Sequence, residues 1–317
     1  MYFPTEEERK DLTRGLLPKA REMVVAEELR GWSWNKPPLE PIYDLKLALY
    51  EVANYYCPTA RDLYMKRVMG IQARPSKAML FGKVLHDTLA KLITAAKRAI
   101  YIESANPDGI NRVAEALEAL REPDYTVLEA GLKYSTDLSD LTNEELKELK
   151  DRVAIVWRHQ LNAIISQVDT VLAKQPRIGV DSLVCLAIPV SVEHNLDGSF
   201  LGLSSHLSTD AYRFYDTTIL DVKFGEQADF HRLTTAGYAL VMESLYEYPV
   251  NLGCIIYASF KNGRLLINKD YHLIDDELRQ WFIEARDEKM RMISEEIDPG
   301  MPDECYENCP YIGHCSR

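Results

Sequence analysis

The stretch Ile219-Leu220-Asp221-Val222-Lys223-Phe224 alternates apolar and charged side chains. This period of two is typical of a β-strand, in which successive side chains point to opposite faces of the sheet. Asp221 and Lys223 then share one face, and the apolar residues share the other. The alternation predicts a strand with one face in a core and one face that carries charge.

A second β-prone segment, Leu207–Tyr215, precedes this strand and carries Asp210. If the chain turns back near residues 215–217, the two strands form a hairpin and Asp210 comes close to Asp221. Two carboxylates at such a point can hold Mg²⁺ or Mn²⁺, because these hard ions prefer oxygen ligands. Lys223 can position or deprotonate an attacking water, or offset charge on a phosphate. The alternative is an ordinary amphipathic strand with a solvent-facing Asp–Lys pair.

Further β-prone runs on either side of this hairpin predict a larger sheet. Asn262-Gly263 is a strong hairpin turn between two of them. A helical pattern over 229–247 separates the later strands from the earlier ones, so the element order predicts an α/β fold, a mixed central sheet flanked by helices. The predicted strands are 183–192, 207–215, 218–224, 252–260 and 264–272, and a closing helix covers 275–296.

The first half of the chain has helical periodicity. Predicted helices cover 5–30, 44–68 and 77–103, and the pattern stays helical to about residue 175. A break or kink is expected in the second of them near Pro58. Five regions follow: an N-terminal helical segment (1–43), helices with a cysteine and a histidine motif (44–103), a helical insertion (104–182), the core sheet (183–274), and a C-terminal helix with a cysteine tail (275–317).

The tail holds three cysteines within eleven residues, Cys305, Cys309 and Cys315, and Cys57 is the best candidate for a fourth member. Several thiolates on a turn-rich segment are typical of a metal centre, and four of them suit an iron–sulfur cluster or structural zinc equally. Disulfides are disfavoured because the sequence shows no secretory signal and no membrane-spanning apolar run, which predicts a cytoplasmic protein. Cys185 and Cys254 lie in apolar runs and are expected to be core residues.

The formal net charge is −12, yet residues 61–98 contain nine basic and only two acidic residues. Such asymmetry predicts a local phosphate-binding face on an acidic protein, with an ordinary solvated helix surface as the alternative. The candidate DNA-binding residues are Arg61, Lys66, Arg67, Arg74, Lys77 and Lys83.

Gly82 and His86 are one helical turn apart on the predicted helix 77–103, at the edge of its apolar stripe. A histidine at this place can reach a sheet edge and supply a nitrogen ligand. A packed or solvated histidine is the simpler alternative.

Taken in chain order, these motifs resemble the RecB-like branch of the PD-(D/E)XK nuclease superfamily. More narrowly, they resemble the iron–sulfur CRISPR-associated exonucleases of the fourth Cas family, including the longer archaeal type I-A variant. The motifs that carry the resemblance are Cys57-Pro58, Gly82-x-x-x-His86, Asp210, Asp221-x-Lys223 and the cysteine tail.

The resemblance implies a PD-(D/E)XK-like fold, a [4Fe–4S] cluster (with [2Fe–2S] or zinc as alternatives) on Cys57, Cys305, Cys309 and Cys315, and a divalent-metal nuclease site. That site would hold Mn²⁺ or Mg²⁺ through His86, Asp210, Asp221 and the Val222 carbonyl, with Lys223 and Tyr238 assisting catalysis. Thr234 departs from the family pattern, because it stands where a glutamine usually precedes the tyrosine.

The implied function is a metal-dependent DNA nuclease of the CRISPR adaptation module, which trims DNA ends before spacer integration. DNA ends and the adaptation integrase proteins are its expected partners. The Thr234 departure keeps a second hypothesis open, a non-catalytic iron–sulfur scaffold or DNA-end-binding subunit. A stand-alone RecB-type repair exonuclease is a third reading, although the sequence contains no phosphate-binding loop of a helicase.

Overall fold

A computed structural model describes residues 1–104, 109–133 and 141–315. In this part of the chain, five strands form one mixed sheet in the order β1-β2-β3-β4-β5. Only β3 and β4 are parallel, and the other neighbours are antiparallel. The predicted α/β class is confirmed. The strands are β1 Val190–Leu196, β2 Leu207–Arg213, β3 Thr218–Lys223, β4 Leu252–Lys261 and β5 Arg264–Leu273.

Helices cover the sheet, and none in the described residues is long and apolar enough to cross a membrane. The helices are α1 Glu6–Asp11, α2 Leu17–Glu22, α3 Leu49–Ala53, α4 Arg61–Arg67, α5 Lys77–Ser104, α6 Gly109–Glu118, α7 Thr126–Lys133, α8 Asn143–Lys174, α9 Val180–Ala187, α10 Arg232–Tyr246, α11 Asp276–Ser294 and α12 Ile312–Cys315.

Each face of the sheet is buried by a different helical layer. Leu220 and Val222 of β3 pack into one core with α5 and α8. Ile219 and Tyr212 pack into a second core with α10 and α11. Because β3 pairs with β2 and β4 and has a core on each side, its polar residues Asp221 and Lys223 must lie near the rim of that second core.

The helices of the predicted insertion, 104–182, are not separate from the sheet. In the described residues, α8 shares its core with α5 and with β3, through buried residues such as Trp157 and Ile164. The stretch therefore enlarges the core beside the sheet.

Three predicted elements need correction, and the first is the strand at 183–192. Residues 183–187 form the end of α9 and not a strand, and Cys185 on it is exposed rather than in the core. A short apolar run suits a buried helix face as well as a strand, so periodicity could not separate the two. The strand prediction holds only from Val190, and Cys254 is buried as expected.

The two predicted N-terminal helices are both shorter than expected. The first ends at Glu22, before two 3₁₀ turns. The second, 44–68, is divided into α3 and α4, with Cys57-Pro58 in the loop between them. Proline lacks an N–H and disfavours the helical conformation of the preceding residue, so the chain leaves the helix around Cys57. The break places Cys57 on a loop instead of within a continuous helix.

A fully buried ion cluster fastens the N-terminal segment to α10 and α11. Both Glu243 carboxylate oxygens accept hydrogen bonds from Arg279, at 2.8 and 2.9 Å, and Arg30 donates to one of them at 2.8 Å. The Gly31 N–H also donates to Glu243, at 2.9 Å. A Cβ at Gly31 would lie 2.0 Å from the Leu240 carbonyl oxygen, so glycine is required at this close approach.

A second buried cation, Lys289 on α11, holds the end of α3. Its Nζ donates to the carbonyl oxygens of Glu51, Val52 and Asn54, at 3.1, 2.8 and 2.7 Å. It also lies 4.2 Å from the Tyr55 ring centroid. Burial lowers the pKa of Lys289 to about 8, which shows how strongly the site is desolvated.

Replacing Glu243 with alanine would leave Arg30 and Arg279 buried without their counter-ion. We expect the free energy of unfolding to fall by about 3–5 kcal/mol, as measured by urea denaturation. Glu288→Ala, at an exposed position of α11, should change it by less than about 0.5 kcal/mol. Equal losses in the two variants would contradict this account.

Candidate active site

Asp210 lies at a gap in the β1–β2 ladder and just beyond the end of the β2–β3 ladder. The β2–β3 ladder stops at Ala211↔Leu220, and the β1–β2 ladder skips Glu193, whose φ is +49°. The Asp210 Oδ2 atom accepts a hydrogen bond of 2.8 Å from the Val222 N–H, so the side chain satisfies a backbone group that the interrupted ladder leaves free. Such an irregularity aims a side chain out of a regular sheet.

His86 on α5 reaches the same point. Its Nδ1 atom lies 3.3 Å from Asp210 Oδ1, and its ring meets Phe224 edge-on. Burial disfavours the imidazolium, but the carboxylates of Asp210 and Asp221 outweigh burial and raise the pKa of His86. Burial likewise acts against the Asp210 carboxylate, yet His86 and Lys223 hold the pKa of Asp210 below its usual value. The two side chains therefore stabilise each other's charge.

The pKa of Asp221 is shifted in the opposite direction to that of Asp210. Burial raises the pKa of Asp221 to about 6; Lys223 opposes this shift, and the Asp210 carboxylate supports it. Lys223 Nζ lies 2.9 Å from Asp221 Oδ2 in an ion pair without hydrogen-bond alignment. Burial would lower the pKa of Lys223, but the two carboxylates raise it above its usual value.

All four side chains line one pocket of about 340 Å³, together with Thr234 and Tyr238 from α10. The Tyr238 hydroxyl donates a hydrogen bond to the Ser208 carbonyl oxygen of β2. Burial raises the pKa of Tyr238, so the hydroxyl stays protonated. Tyr238 thus supports the strand that carries Asp210, which the sequence alone could not indicate.

The donor set suits a divalent cation. Within the described ranges, no three His, Cys, Asp or Glu side chains are grouped so that they could hold a metal ion. His86 is engaged with Asp210, and Asp221 with Lys223. Nevertheless, one imidazole and two carboxylates converge on one pocket, and the buried Asp221 Oδ2 atom has no hydrogen bond. These ligand types and this unsatisfied oxygen fit Mg²⁺ or Mn²⁺.

The four cysteines predicted to bind a cluster lie on the α3–α4 loop and on the C-terminal tail, and in the described residues they are not grouped so that they could hold a metal ion. Cys57 and Cys315 are buried, whereas Cys305 is exposed. Burial raises the pKa of the Cys315 thiol; Arg61 opposes that shift, and Cys57 and Cys305 add to it. Burial also raises the pKa of Cys309, and Cys57 and Cys315 contribute in the same direction. Thiols from both ends of the chain therefore share one electrostatic environment.

Arg61 docks the cysteine tail against the rest of the chain. Its guanidinium donates to the Cys315 carbonyl oxygen at 3.1 Å and to Asp298 at 3.0 Å. Nearby, the Thr59 hydroxyl donates to the Gly300 carbonyl oxygen at 2.9 Å. The Arg61 side chain is only 12% exposed, so most of it serves this docking contact.

The other basic residues of the predicted phosphate-binding face also have acidic partners in several cases. Lys66 and Arg67 both pair with Glu51, and Lys83 pairs with Asp87. Lys77 pairs with Glu145 and Glu148 of α8, and Arg74 lies between α4 and α5. These pairs offset much of the local positive charge that the sequence tally indicated, and the DNA-binding assignment stays a prediction.

One set of residues near the site escaped the sequence analysis. Tyr56 hydrogen-bonds His231 Nε2 at 2.9 Å, and His231 Nδ1 hydrogen-bonds Tyr257 at 3.1 Å. Tyr257 pairs in register with Lys223, and the Tyr56 ring contacts Tyr306 in the tail. A continuous chain of contacts thus links the cysteine tail to β3. Its one sequence signal is the position of Tyr56 beside Cys57.

Comparisons with known proteins place this chain among the CRISPR-associated exonucleases. The family model described as "CRISPR-associated exonuclease Csa1" matches residues 1–317. A relative of that name from Saccharolobus solfataricus is 32% identical over 292 residues, which cover 92% of each chain. Another, from Thermoproteus tenax, is 27% identical over 292 residues, 92% of this chain and 91% of its own.

The chain belongs to the CRISPR-associated exonuclease Csa1 family. The assignment to the CRISPR-associated exonucleases, made from the sequence motifs, is thereby confirmed.

Neutralising Asp221 and neutralising Asp210 should change the free energy of unfolding in opposite directions. With divalent ions chelated at pH 7.5, we expect Asp221→Asn to raise the free energy of unfolding by about 1–3 kcal/mol, because a raised pKa means that the folded state disfavours this charge. Asp210→Asn should lower it, since a lowered pKa means that the folded state favours the charge. Urea denaturation measures both.

The contributions of Asp221 and Asp210 to the free energy of unfolding should also depend on pH in opposite ways. The destabilisation from Asp221 should grow as pH rises from about 4 to 6 and then level off. The stabilisation from Asp210 should be present above its unfolded pKa and be lost as pH falls through its lower folded value. Changes of the same sign in both variants at pH 7.5 would refute this electrostatic assignment.

Proposed function

We propose that this protein is a divalent-metal-dependent DNA exonuclease of the CRISPR adaptation machinery, which processes DNA ends before spacer integration. The observation that carries the proposal is one pocket that unites His86, Asp210, Asp221 and Lys223, in a chain whose relatives are named exonucleases. The integrase proteins of adaptation are its proposed partners, and the cytoplasm its proposed location.

His86, Asp210, Asp221 and the Val222 carbonyl are the proposed ligands of Mn²⁺ or Mg²⁺. When bound, such an ion supplies a Lewis acid and a water of lowered pKa for phosphodiester hydrolysis. Asp210 is already oriented by the Val222 N–H, at 2.8 Å. The raised pKa of Asp221 reflects carboxylate repulsion and burial that a cation would relieve.

Lys223 acts in this proposal as a cation. Its raised pKa keeps the ammonium protonated at neutral pH, so it is poorly suited to remove a proton from water. Near Asp221 it can orient the nucleophile and offset charge on the scissile phosphate. Of the roles considered from the sequence, electrostatic assistance is therefore favoured, and Tyr238 supports β2 from behind.

Thr234 favours a second candidate function, a DNA-end-binding subunit that does not cleave. It lines the pocket and is 8% exposed. Its side chain is shorter than the glutamine expected there and reaches fewer partners. The complete set of histidine, carboxylates and lysine in the same pocket supports the nuclease over this alternative.

For the cysteine centre we propose a structural [4Fe–4S] cluster on Cys57, Cys305, Cys309 and Cys315, with [2Fe–2S] or zinc as alternatives. Cys57 and Cys305 contribute to the raised pKa of Cys315, and Cys57 and Cys315 contribute to that of Cys309, which supports one site for all four. Thiolates are the ligands that iron–sulfur clusters require. A group bound there would join the α3–α4 loop to the tail, beside the contacts that Arg61 already makes.

Cleavage tests the nuclease proposal. Anaerobically purified protein should shorten end-labelled DNA in Mn²⁺ and not in chelator, and Asp221→Asn should lower the rate at least about 100-fold, because it removes a ligand charge. Asp169→Asn, an exposed position on α8, should retain the wild-type rate. Absence of cleavage by protein with its full metal content would favour the non-catalytic subunit.

Metal analysis tests the cysteine centre. Cys309→Ser should lose the bound iron and its visible absorbance, because serine is a poor ligand for this soft site. Cys185→Ser is the matched control, since Cys185 is exposed on α9, and it should keep the full iron content. Zinc in place of iron would select the zinc alternative. Unchanged metal in Cys309→Ser would exclude the proposed ligand set.

A further inference from the structure

The opening of the candidate active-site pocket is built from two distant loops. One runs from residue 47 into the first turn of α3, where Tyr50 lies, and the other comprises residues 202–206. The Leu47 N–H donates to the Gly202 carbonyl oxygen at 3.1 Å, and the Ser204 N–H donates to the Leu47 carbonyl oxygen at 2.8 Å. These backbone bonds fix the two loops side by side, so the opening has a defined shape.

Tyr50 stands at this opening. It lines the pocket together with Asp210 and Asp221, yet 62% of its surface is exposed. Lys66 Nζ donates a hydrogen bond to the Tyr50 hydroxyl at 2.7 Å and to the buried Glu51 carboxylate at 2.8 Å. An exposed aromatic ring is thus anchored through a buried charge and is pre-organised for contact with a ligand.

The surroundings of Tyr50 favour an aromatic ligand over a phosphate at this place. Glu51 is paired with both Lys66 and Arg67, so its carboxylate offsets the cations closest to the ring. The exposed His206 also lines this pocket and supplies a second flat side chain. Flat π-systems beside a phosphate-cleaving centre suit nucleobases, because every base can stack on an aromatic ring.

We infer that Tyr50 is the stacking platform for an unpaired nucleobase at the end of a DNA strand. The inference rests on the proposed function and extends it to substrate selection. Bases inside a duplex are already stacked and paired, so only a single-stranded or frayed end can occupy the ring without the cost of unpairing. A base on Tyr50 leaves the adjoining phosphodiester to enter the pocket toward Asp210 and Asp221.

The test measures binding separately from cleavage. Asp221→Asn protein in chelator binds a single strand whose terminal base is intact or removed, with each end of the strand tested in turn. Adding Tyr50→Ala should weaken binding of the intact strand about 5- to 150-fold. It should leave binding of the strand without the terminal base nearly unchanged, because the partner of the ring is already missing.

Two further variants make the result specific. Tyr50→Phe keeps the ring and should retain most of the affinity. Tyr215→Ala removes a tyrosine of similar exposure, 58%, that follows the far end of β2, and should have no effect. A fluorescent adenine analogue at the strand end should be quenched by protein with the native tyrosine and by the Tyr50→Phe variant, but not by Tyr50→Ala.

The possible results distinguish the stacking role of Tyr50 from the nuclease function on which it rests. Equal weakening of both strands by Tyr50→Ala, or no weakening of either, would overturn the stacking role and leave the nuclease proposal intact. Failure of every strand to bind the otherwise intact protein would overturn both. Dependence on the base at one end only would support the inference and identify the end that enters the pocket.

Discussion

The positions of the pocket residue Tyr50 and of Cys57 both depend on the hydrogen bonds that the buried Lys289 ammonium makes with the end of α3. Three carbonyl oxygens around the end of α3 converge on the ammonium, so α3 is fixed to α11. On one side of that joint stands Tyr50 at the pocket opening, and on the other the chain continues to Cys57. Burying this charge is costly; the carbonyls and the Tyr55 ring compensate and give the joint one geometry.

Much of the fold follows from local pattern. Alternation placed Asp221 and Lys223 on one face of β3, and the Asn262-Gly263 turn joins β4 to β5, with positive φ at both residues. The helix predicted over 77–103 is α5. The strand prediction for residues 183–187 was wrong because a short apolar run fits either period. The helix predicted over 44–68 is divided near Pro58, where a break or kink was expected, and its two parts, α3 and α4, are shorter than predicted.

The candidate site was predictable only in part. The hairpin suggested that Asp210 and Asp221 are close, and the helix edge suggested His86. The interruption of the β1–β2 ladder opposite Asp210 coincides with the left-handed backbone of Glu193, a residue with no local signal for it. The chain from Tyr56 through His231 and the position of Tyr50 arise from contacts between remote segments, which periodicity does not report.

The docking of the cysteine tail has a consequence for how the protein is made. Cys57 leaves the ribosome early, but the tail residues 305–315 are synthesised about 250 residues later. The hydrogen bond from Arg61 to the Cys315 carbonyl oxygen can form only then. Contacts of such high sequence separation form late, since a long loop must close first. During translation Cys57 lacks the other cysteines of the proposed cluster, so the proposed cluster would assemble only after residues 305–315 have been made.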